Sequence, residues 1–345
     1  MTAISIIMPC YNRAYDLKKT LAAYEGQVAD EPFEVIAIDD GSSDDTYSLL
    51  SAYQPNRFTL RVVRQESNQG PAAARNRGMG LAKSPIIMFV GDDIVPDKFL
   101  VRAHLAAHRR NPEREAAILG RVQWARDLPV NTLMTHIDGV GAQQFSYNYF
   151  QDGREYDFRH FYTANISLKR EMLLSTNKGF DTDFHFAAFE DVELSYRLSK
   201  KGLRIIYAFI PLGYHYHYHD IWTFSTRQYQ AGLMACVLTK KHPEVKNKIF
   251  GKRWYLNKMK WLIALPFYDL PKNYAEKLEK EIIRILSKYE WDHINNLDYI
   301  YYDVFYYFFY KGVIKGTYGD KKFCTRIHNI HAKKSLQPII DGFKN

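Results

Sequence analysis

The chain has 345 residues, 46% of them hydrophobic, enough for one large folded domain with an appendage. Its net charge of +9 is concentrated late: residues 240–345 carry 21 Lys+Arg against 11 Asp+Glu, or +10, which leaves 26 against 27, or −1, for residues 1–239. Three scattered cysteines without a CxxC pair (Cys10, Cys236, Cys324) argue against a disulfide framework and a cysteine zinc site, and no apolar stretch reaches the roughly 18 residues of a membrane span.

In chain order, the opening "MTAISIIMPC" lacks the basic start of a signal peptide, so the cytosol is the expected compartment. Residues 3–8, 33–38, 60–64 and 85–90 are short apolar runs, largely β-branched, that predict strands, each followed by a polar loop. Between them Leu17, Leu21 and Tyr24 recur at helical spacing, Leu49, Leu50 and Tyr53 mark a shorter helix, and Pro71 opens an Ala-rich one. This alternation predicts an α/β domain with a mostly parallel central sheet and helices on both faces. Such sheets bind ligands at the carboxyl ends of their strands, where the strand order switches.

Three post-strand loops, "PCYNR", "DDGSSDDT" and "GDDIVP", bring Asp39, Asp40, Asp92 and Asp93 toward one sheet edge. Clustered carboxylates are costly to desolvate unless a cation offsets them. Hard divalent cations such as Mg2+ take oxygen ligands and share them with phosphates, so a nucleotide with a bridging metal relieves the conflict. Asp44 and Asp45 read as helix caps. In "NQGPAAARNRG", Asn68 and Gly70 supply a turn and Arg75 sits on the next helix, near the edge where phosphates lie. Neither GxGxxG nor GxxxxGK[ST] is present, which argues against a dinucleotide fold and a P-loop NTPase.

Farther on, Asn165 in "ANISLKRE" and the "GFDTDFHF" loop either shape a pocket or stabilise turns. "FEDVELSYRLSKKG" reads as a helix with Val192, Leu194 and Leu198 inside and Gly202 at its C-terminus. Glu190 and Asp191 start it, where acids gain about 0.3–1 kcal/mol from the helix dipole. In "PLGYHYHYHD", His215, His217 and His219 alternate along an extended segment, sharing a face that suits Mn2+ or Zn2+. Beyond residue 225, "RQYQAGLMACVLTKKHP" predicts a helix ended by Pro243, and a basic stretch follows with Trp254, Trp261 and Phe267. "LDYIYYDVFYYFFYKGVIKG" has aromatics at helical spacing, for core packing or for a peripheral membrane surface. No basic-aromatic nucleic-acid module is visible.

Taken in order, "SIIMPCYNR", "VIAIDDGSSDDT", "NQGPAAARNRG", "FVGDDIVP", "ANISLKRE", "GFDTDF", "FEDVELSYRLSKKG" and the histidine cluster span roughly residues 4–220. In that order the chain resembles family 2 glycosyltransferases of the GT-A fold. The resemblance implies a catalytic domain over residues 1–225; beyond it the residues themselves read as a mostly helical extension over 226–345 for acceptor, membrane-surface or oligomer contacts. The resemblance also implies inverting transfer from a nucleotide-diphosphate sugar, a UDP-sugar foremost, to a saccharide or lipid-linked acceptor in polysaccharide or glycolipid synthesis. The expected setting is the cytoplasm, either free or at the inner face of the cell membrane.

By the same resemblance, Pro9 and Tyr11 line the base or ribose, Asp39 accepts a hydrogen bond from the base, and Asp40 supports the loop. Asn68, Gly70 and Arg75 flank the nucleotide. Asp92 and Asp93 stand at the family's aspartate-any-aspartate motif, but Gly91 falls where the first aspartate usually stands. Asp93 is then the direct ligand of Mn2+ or Mg2+ and Asp92 the ribose or water-mediated contact. Asp191 is the catalytic base with Glu190 beside it, and His217 completes the metal site, with His215 and His219 as alternatives. The competing expectation is a noncatalytic nucleotide-sugar-binding or scaffold protein of the same fold, for which Gly91 is the supporting feature.

Overall fold

The computed structural model describes residues 2–251 and 294–318. The expectations at Trp254, Trp261, Phe267 and Cys324 lie outside the described residues. The chain divides into two compact units, one running to Asn131 and resuming over Ile137–Tyr218, the other taking Thr132–His136 and the described residues from His219 onward.

The first unit is built on a nine-stranded sheet. Its strands are β1 (Ile4–Cys10), β2 (Phe33–Asp39), β3 (Thr59–Arg64), β4 (Ile86–Val90), β5 (Ile94–Pro96), β6 (Ala116–Trp124), β7 (Glu155–Tyr156), β8 (Asn165–Lys169) and β9 (Arg204–His215). They run in the order β3-β2-β1-β4-β8-β6-β9-β5, with β7 beside β9. The half from β3 to β4 is parallel throughout; beyond it β8 is antiparallel to both neighbours and β6 is parallel to β9. All seven residues of β2 are buried, as expected of a strand covered on both faces.

Helices α1 (Ala14–Glu25), α2 (Thr46–Ala52) and α3 (Pro71–Leu81) make the three crossovers. Because β2 and β3 lie on one side of β1 and β4 on the other, the strand order switches between β1 and β4. In open α/β sheets the carboxyl ends at such a switch border the crevice where ligands bind. β1 pairs with β4 only as far as Ile7, so Pro9 falls where β2 is the sole neighbour and its missing N–H breaks no ladder on the crevice side.

Asn165, expected at a pocket or a turn, is a fully buried hub of this sheet. Its amide nitrogen donates to the carbonyls of Arg121 (2.9 Å) and Pro211 (3.0 Å), at the bulge where the β6–β9 register shifts. A polar chain runs from it along helix α4 (Leu100–Arg110). Lys169 Nζ can only donate, so it donates to His108 Nδ1 (2.7 Å); His108 Nε2 then donates to Ser167 Oγ, Ser167 to His104 Nδ1, and His104 Nε2 to Asn165 Oδ1, each at 2.8 Å. Burial supports the neutral imidazoles this ordering needs: it pushes His104 down to about 4 and His108 well below its usual value.

In the second unit, α8 (Ile221–Lys241) starts from a reciprocal cap, Asp220 Oδ1 accepting from Thr223 N at 2.7 Å and Thr223 Oγ1 from Asp220 N at 3.1 Å. The label α10 is given to Ile294–Tyr318, with α5 (Thr132–Asp138), α6 (Arg170–Leu173), α7 (Glu190–Ser199) and α9 (Lys246–Phe250) earlier in the chain. The aromatic stretch forms α10 and packs on α8: Tyr301, Phe305, Tyr307, Phe308 and Tyr310 are buried, and Phe305 meets Phe224 edge to face at 4.8 Å. Gly232 and Gly312 let the helices cross closely, since a side chain on either would enter the other's backbone. Among the described residues no helix is long and apolar enough to cross a membrane.

Candidate active site

Three groups of side chains in the first unit gather at the carboxyl ends of its strands and on the helix that follows. The first lies at the β1–β4 switch. Tyr11 N donates across it to Asp92 Oδ2 at 3.2 Å. The next residue, Asp93, is tied to the histidine segment by main-chain pairing: Ile94 is in register with His215, and Tyr216 N donates to Asp93 O at 2.8 Å. His215, the last residue of β9, and His217, two residues past the strand's end, both present a ring nitrogen to the carboxylate. Asp93 Oδ2 lies 3.5 Å from His215 Nε2 and 3.2 Å from His217 Nδ1.

One ligand atom each from Asp93, His215 and His217 lies within 4.8 Å of the others. A carboxylate with two imidazoles suits a borderline divalent ion, so the donor set fits Mn2+ or Zn2+. His215 is stacked on Trp124 at 5.0 Å with rings 10° apart, which fixes its plane. Tyr216, between the histidines, faces the other way: its hydroxyl donates to Asp127 Oδ1 at 2.5 Å and Lys19 lies over its ring at 4.2 Å. His219 belongs to the second unit, where its ring meets Phe224.

Gly91 has a geometric reason. A Cβ there would stand 2.7 Å from Asp93 Oδ1 and 3.2 Å from Ile94 Cγ1, so the Asp93 carboxylate folds back into space a side chain would fill. Burial and the neighbouring Asp93 push Asp92 up to about 7, against the pull of Arg13. Burial would raise Asp93 too, yet the neighbouring His215, joined by Arg13, holds it well below the usual carboxylate range.

Arg13, which the sequence alone does not single out, joins this candidate site. Its guanidinium lies 3.3 Å from Asp93 Oδ2, 2.8 Å from His217 Nδ1, 3.8 Å from Asp92 Oδ1 and 3.6 Å from Asp16 Oδ2. The available signal was the last letter of "PCYNR": a cation just past the strand whose neighbour ends in two acids.

The second group is at the end of β2. Asp39 is wholly buried, with Oδ2 3.3 Å from Arg64 Nε and Oδ1 accepting from Ser42 N at 3.3 Å. Asp40 holds the 65–70 loop, accepting from the Gln65 side chain, from Gln69 N at 2.8 Å and from Gly70 N at 2.9 Å. Exposed Asn68 also accepts from Gly70 N, at 3.1 Å, and Gly70, at φ +86°, makes the turn into α3 that other residues rarely adopt. Asp44, rather than Asp45, does the capping, taking Thr46 N (3.0 Å) and Ala14 N (3.1 Å) at the starts of α2 and α1.

The third group opens α7. Phe189 takes a left-handed conformation (φ 66°), uncommon for a bulky residue and a strain of about 1–3 kcal/mol, and turns the chain so that Glu190 points inward. Glu190 Oε1 accepts from Arg75 Nη1 at 2.8 Å, while Glu190 Oε2 and Arg75 Nε are buried without hydrogen-bond partners. Arg75 thus directs its charge at Glu190. Burial, reinforced by the charge of Glu190 and opposed by Arg75, pushes Asp191 up to about 7. Tyr162, which senses the Asp191 charge, contacts Phe145 at 5.2 Å, and Phe145 reaches His215 at 6.1 Å. An aromatic wall therefore links the acid of α7 to the histidines of β9.

Comparison with known proteins adds the following. A family model described as glycosyl transferase family 2 matches residues 5–189. Validoxylamine A glucosyltransferase of Streptomyces hygroscopicus subsp. jinggangensis is 28% identical over 285 residues, covering 72% of this chain and 63% of the relative. Hyaluronan synthase of Pasteurella multocida is 29% identical over 226 residues, covering 58% of this chain and 23% of the relative. The chain thus spans less than two thirds of either relative. Among solved structures, mannosyltransferase PcManGT of Pyrobaculum calidifontis, in complex with GDP-Man and Mn2+, aligns with TM-score 0.59 at 17% identity, over 93% of this chain and 88% of that one. Residues 1–349 of S. aureus TarS, in complex with UDP, align with TM-score 0.54 at 16% identity, over 91% of each chain. These two likenesses bear on the fold.

Proposed function

The chain belongs to glycosyl transferase family 2, and from that premise we propose that it transfers a sugar, with inversion, from a nucleotide-diphosphate donor to an acceptor hydroxyl. The donor is a UDP-sugar and the acceptor a saccharide or lipid-linked saccharide, used at the cytoplasmic face of a membrane in making a polymer or glycolipid. The observation that carries the reading is Asp191: a half-buried carboxyl at a helix start, raised to about 7 beside a second acid whose own charge is paired.

Asp191 is the general base. A base whose pKa lies near the working pH combines a useful ionised fraction with real proton affinity. As the acceptor oxygen bonds to the anomeric carbon and the bond to the diphosphate oxygen breaks, the hydroxyl proton passes to Asp191. Asp39 accepts a hydrogen bond from the nucleotide base, Asp40 holds the Gln69–Gly70 main chain beside it, and Tyr11, Pro9 and Asp92 border the ribose. Asp93, His215 and His217 hold Mn2+ or Mg2+, which when bound supplies Lewis-acid charge for the departing diphosphate. The donor set favours Mn2+, because imidazoles suit it better than the harder Mg2+.

The test is release of nucleoside diphosphate from UDP- and GDP-sugars by the full chain with Mn2+, before and after chelation by EDTA. Turnover that stops on chelation, returns with Mn2+, and is absent from Asp191→Asn supports the reading. Failure to bind any nucleoside diphosphate in the presence of Mn2+ would sink it.

A further inference from the structure

We propose that Arg13 is a built-in counter-cation that competes with the divalent ion for Asp93 and His217, and so sets how tightly the centre holds metal. The inference rests on the metal site proposed above. Arg13 sits among the donors of that site, with acids on three sides: Asp92, Asp93 and, one helical turn on, Asp16.

His217 Nδ1 is the atom the two cations contest. This nitrogen lies 2.8 Å from Arg13 Nη2 and 3.2 Å from Asp93 Oδ2. A ring nitrogen offers either one proton or one lone pair, and guanidinium can only donate. In the shorter contact Nδ1 is therefore the acceptor, and the lone pair it turns to Arg13 is the one a metal ion takes. Asp93 Oδ2 is claimed twice in the same way. A guanidinium and a divalent ion cannot share these two atoms, on grounds of space and of like charge. Arg13 does not escape by losing its proton, since guanidinium stays charged. It has to move, and Asp16, 3.6 Å from Nη1, offers the carboxylate that receives it.

Metal binding is then an exchange of cations rather than a filling of an uncompensated acidic site. In the metal-free state the acids are already partly neutralised, which keeps the centre folded but weakens its grip on the ion.

The test is Mn2+ binding to the full chain without nucleotide, followed by the paramagnetic resonance signal of free Mn2+ and by calorimetry. Arg13→Gln, which removes the charge-assisted bonds, is expected to bind Mn2+ about ten-fold more tightly than the wild type. Arg13→Lys keeps the charge but loses the fork, and is expected to bind at least about threefold more tightly, which serves if Arg13→Gln does not fold. Asp93→Ala abolishes the binding in every background. Equal or weaker Mn2+ binding by the Arg13 variants overturns the inference alone. Absence of Mn2+ binding in the wild type and Arg13→Gln alike, both folded, overturns it together with the metal site.

Discussion

Arg75 Nη1 meets Glu190 Oε1 at 2.8 Å with the two side chains only 9% and 4% exposed, so a charged pair is sealed beside Asp191. Glu190 raises Asp191 and Arg75 lowers it. Arg75→Gln leaves Glu190 buried without a counter-charge and is expected to cost about 3–5 kcal/mol in urea unfolding. In the fraction that stays folded, the acid limb of kcat/KM moves to higher pH. Glu190→Gln moves that limb the opposite way. Limbs that stay in place in both variants would show that another group titrates.

Asp191→Asn is expected to lower turnover by about 10²–10⁴-fold while UDP binding changes little. As the proposed base, Asp191 has to be ionised, so kcat/KM is expected to rise with pH through about 7. The stability effect has the opposite sense. A carboxyl raised in the folded state favours the protonated form there, so its ionisation penalises folding progressively between the unfolded value near 4 and about 7. Asp191→Asn should therefore melt above the wild type at pH 8 and approach it at pH 4.

Gly91→Ala tests the fold-back of Asp93. The added methyl would stand 2.7 Å from Oδ1, so the carboxylate has to turn away from the histidines. Mn2+ affinity is expected to fall by about 10–100-fold, the usual effect of disturbing what orients a ligand. Melting should change little, and an unaltered Mn2+ isotherm would count against the assigned donor set.

Asn165→Ala removes the donor to two buried carbonyls, those of Arg121 and Pro211. Leaving each unsatisfied costs about 1–3 kcal/mol, read in chemical denaturation. The same change leaves His104 facing a cavity, so His108→Ala made together with it should cost less than the two losses added.

The parallel half of the sheet was legible because its strands are buried on both faces and announce themselves as unbroken apolar runs. The acids were legible because polar residues directly after such runs have few structural reasons to cluster. Arg13 was not, since an arginine after a strand is common and only the fold brings it to Asp93 and His217 from 80 and 204 residues away. Asn165 was less legible for a related reason: an asparagine at a strand start reads as pocket or turn chemistry, and its burial depends on α4 packing over β6 and β9 so that His104 meets it. The histidine triplet was read as one face of an extended segment, but β9 ends at His215, and His219 passes to the other unit. Local alternation predicts direction only while the strand lasts.

The candidate metal donors are spaced by a β-ladder, with Tyr216 N on Asp93 O and His215 in register with Ile94. Their separation is set by main-chain geometry that any side chain at those positions inherits. The centre is accordingly modular: exchanging His215 or His217 for a carboxylate would change which ion is preferred without redrawing the scaffold. An engineer wanting a magnesium-selective or calcium-selective version of this candidate site would have two positions to vary and little else to rebuild.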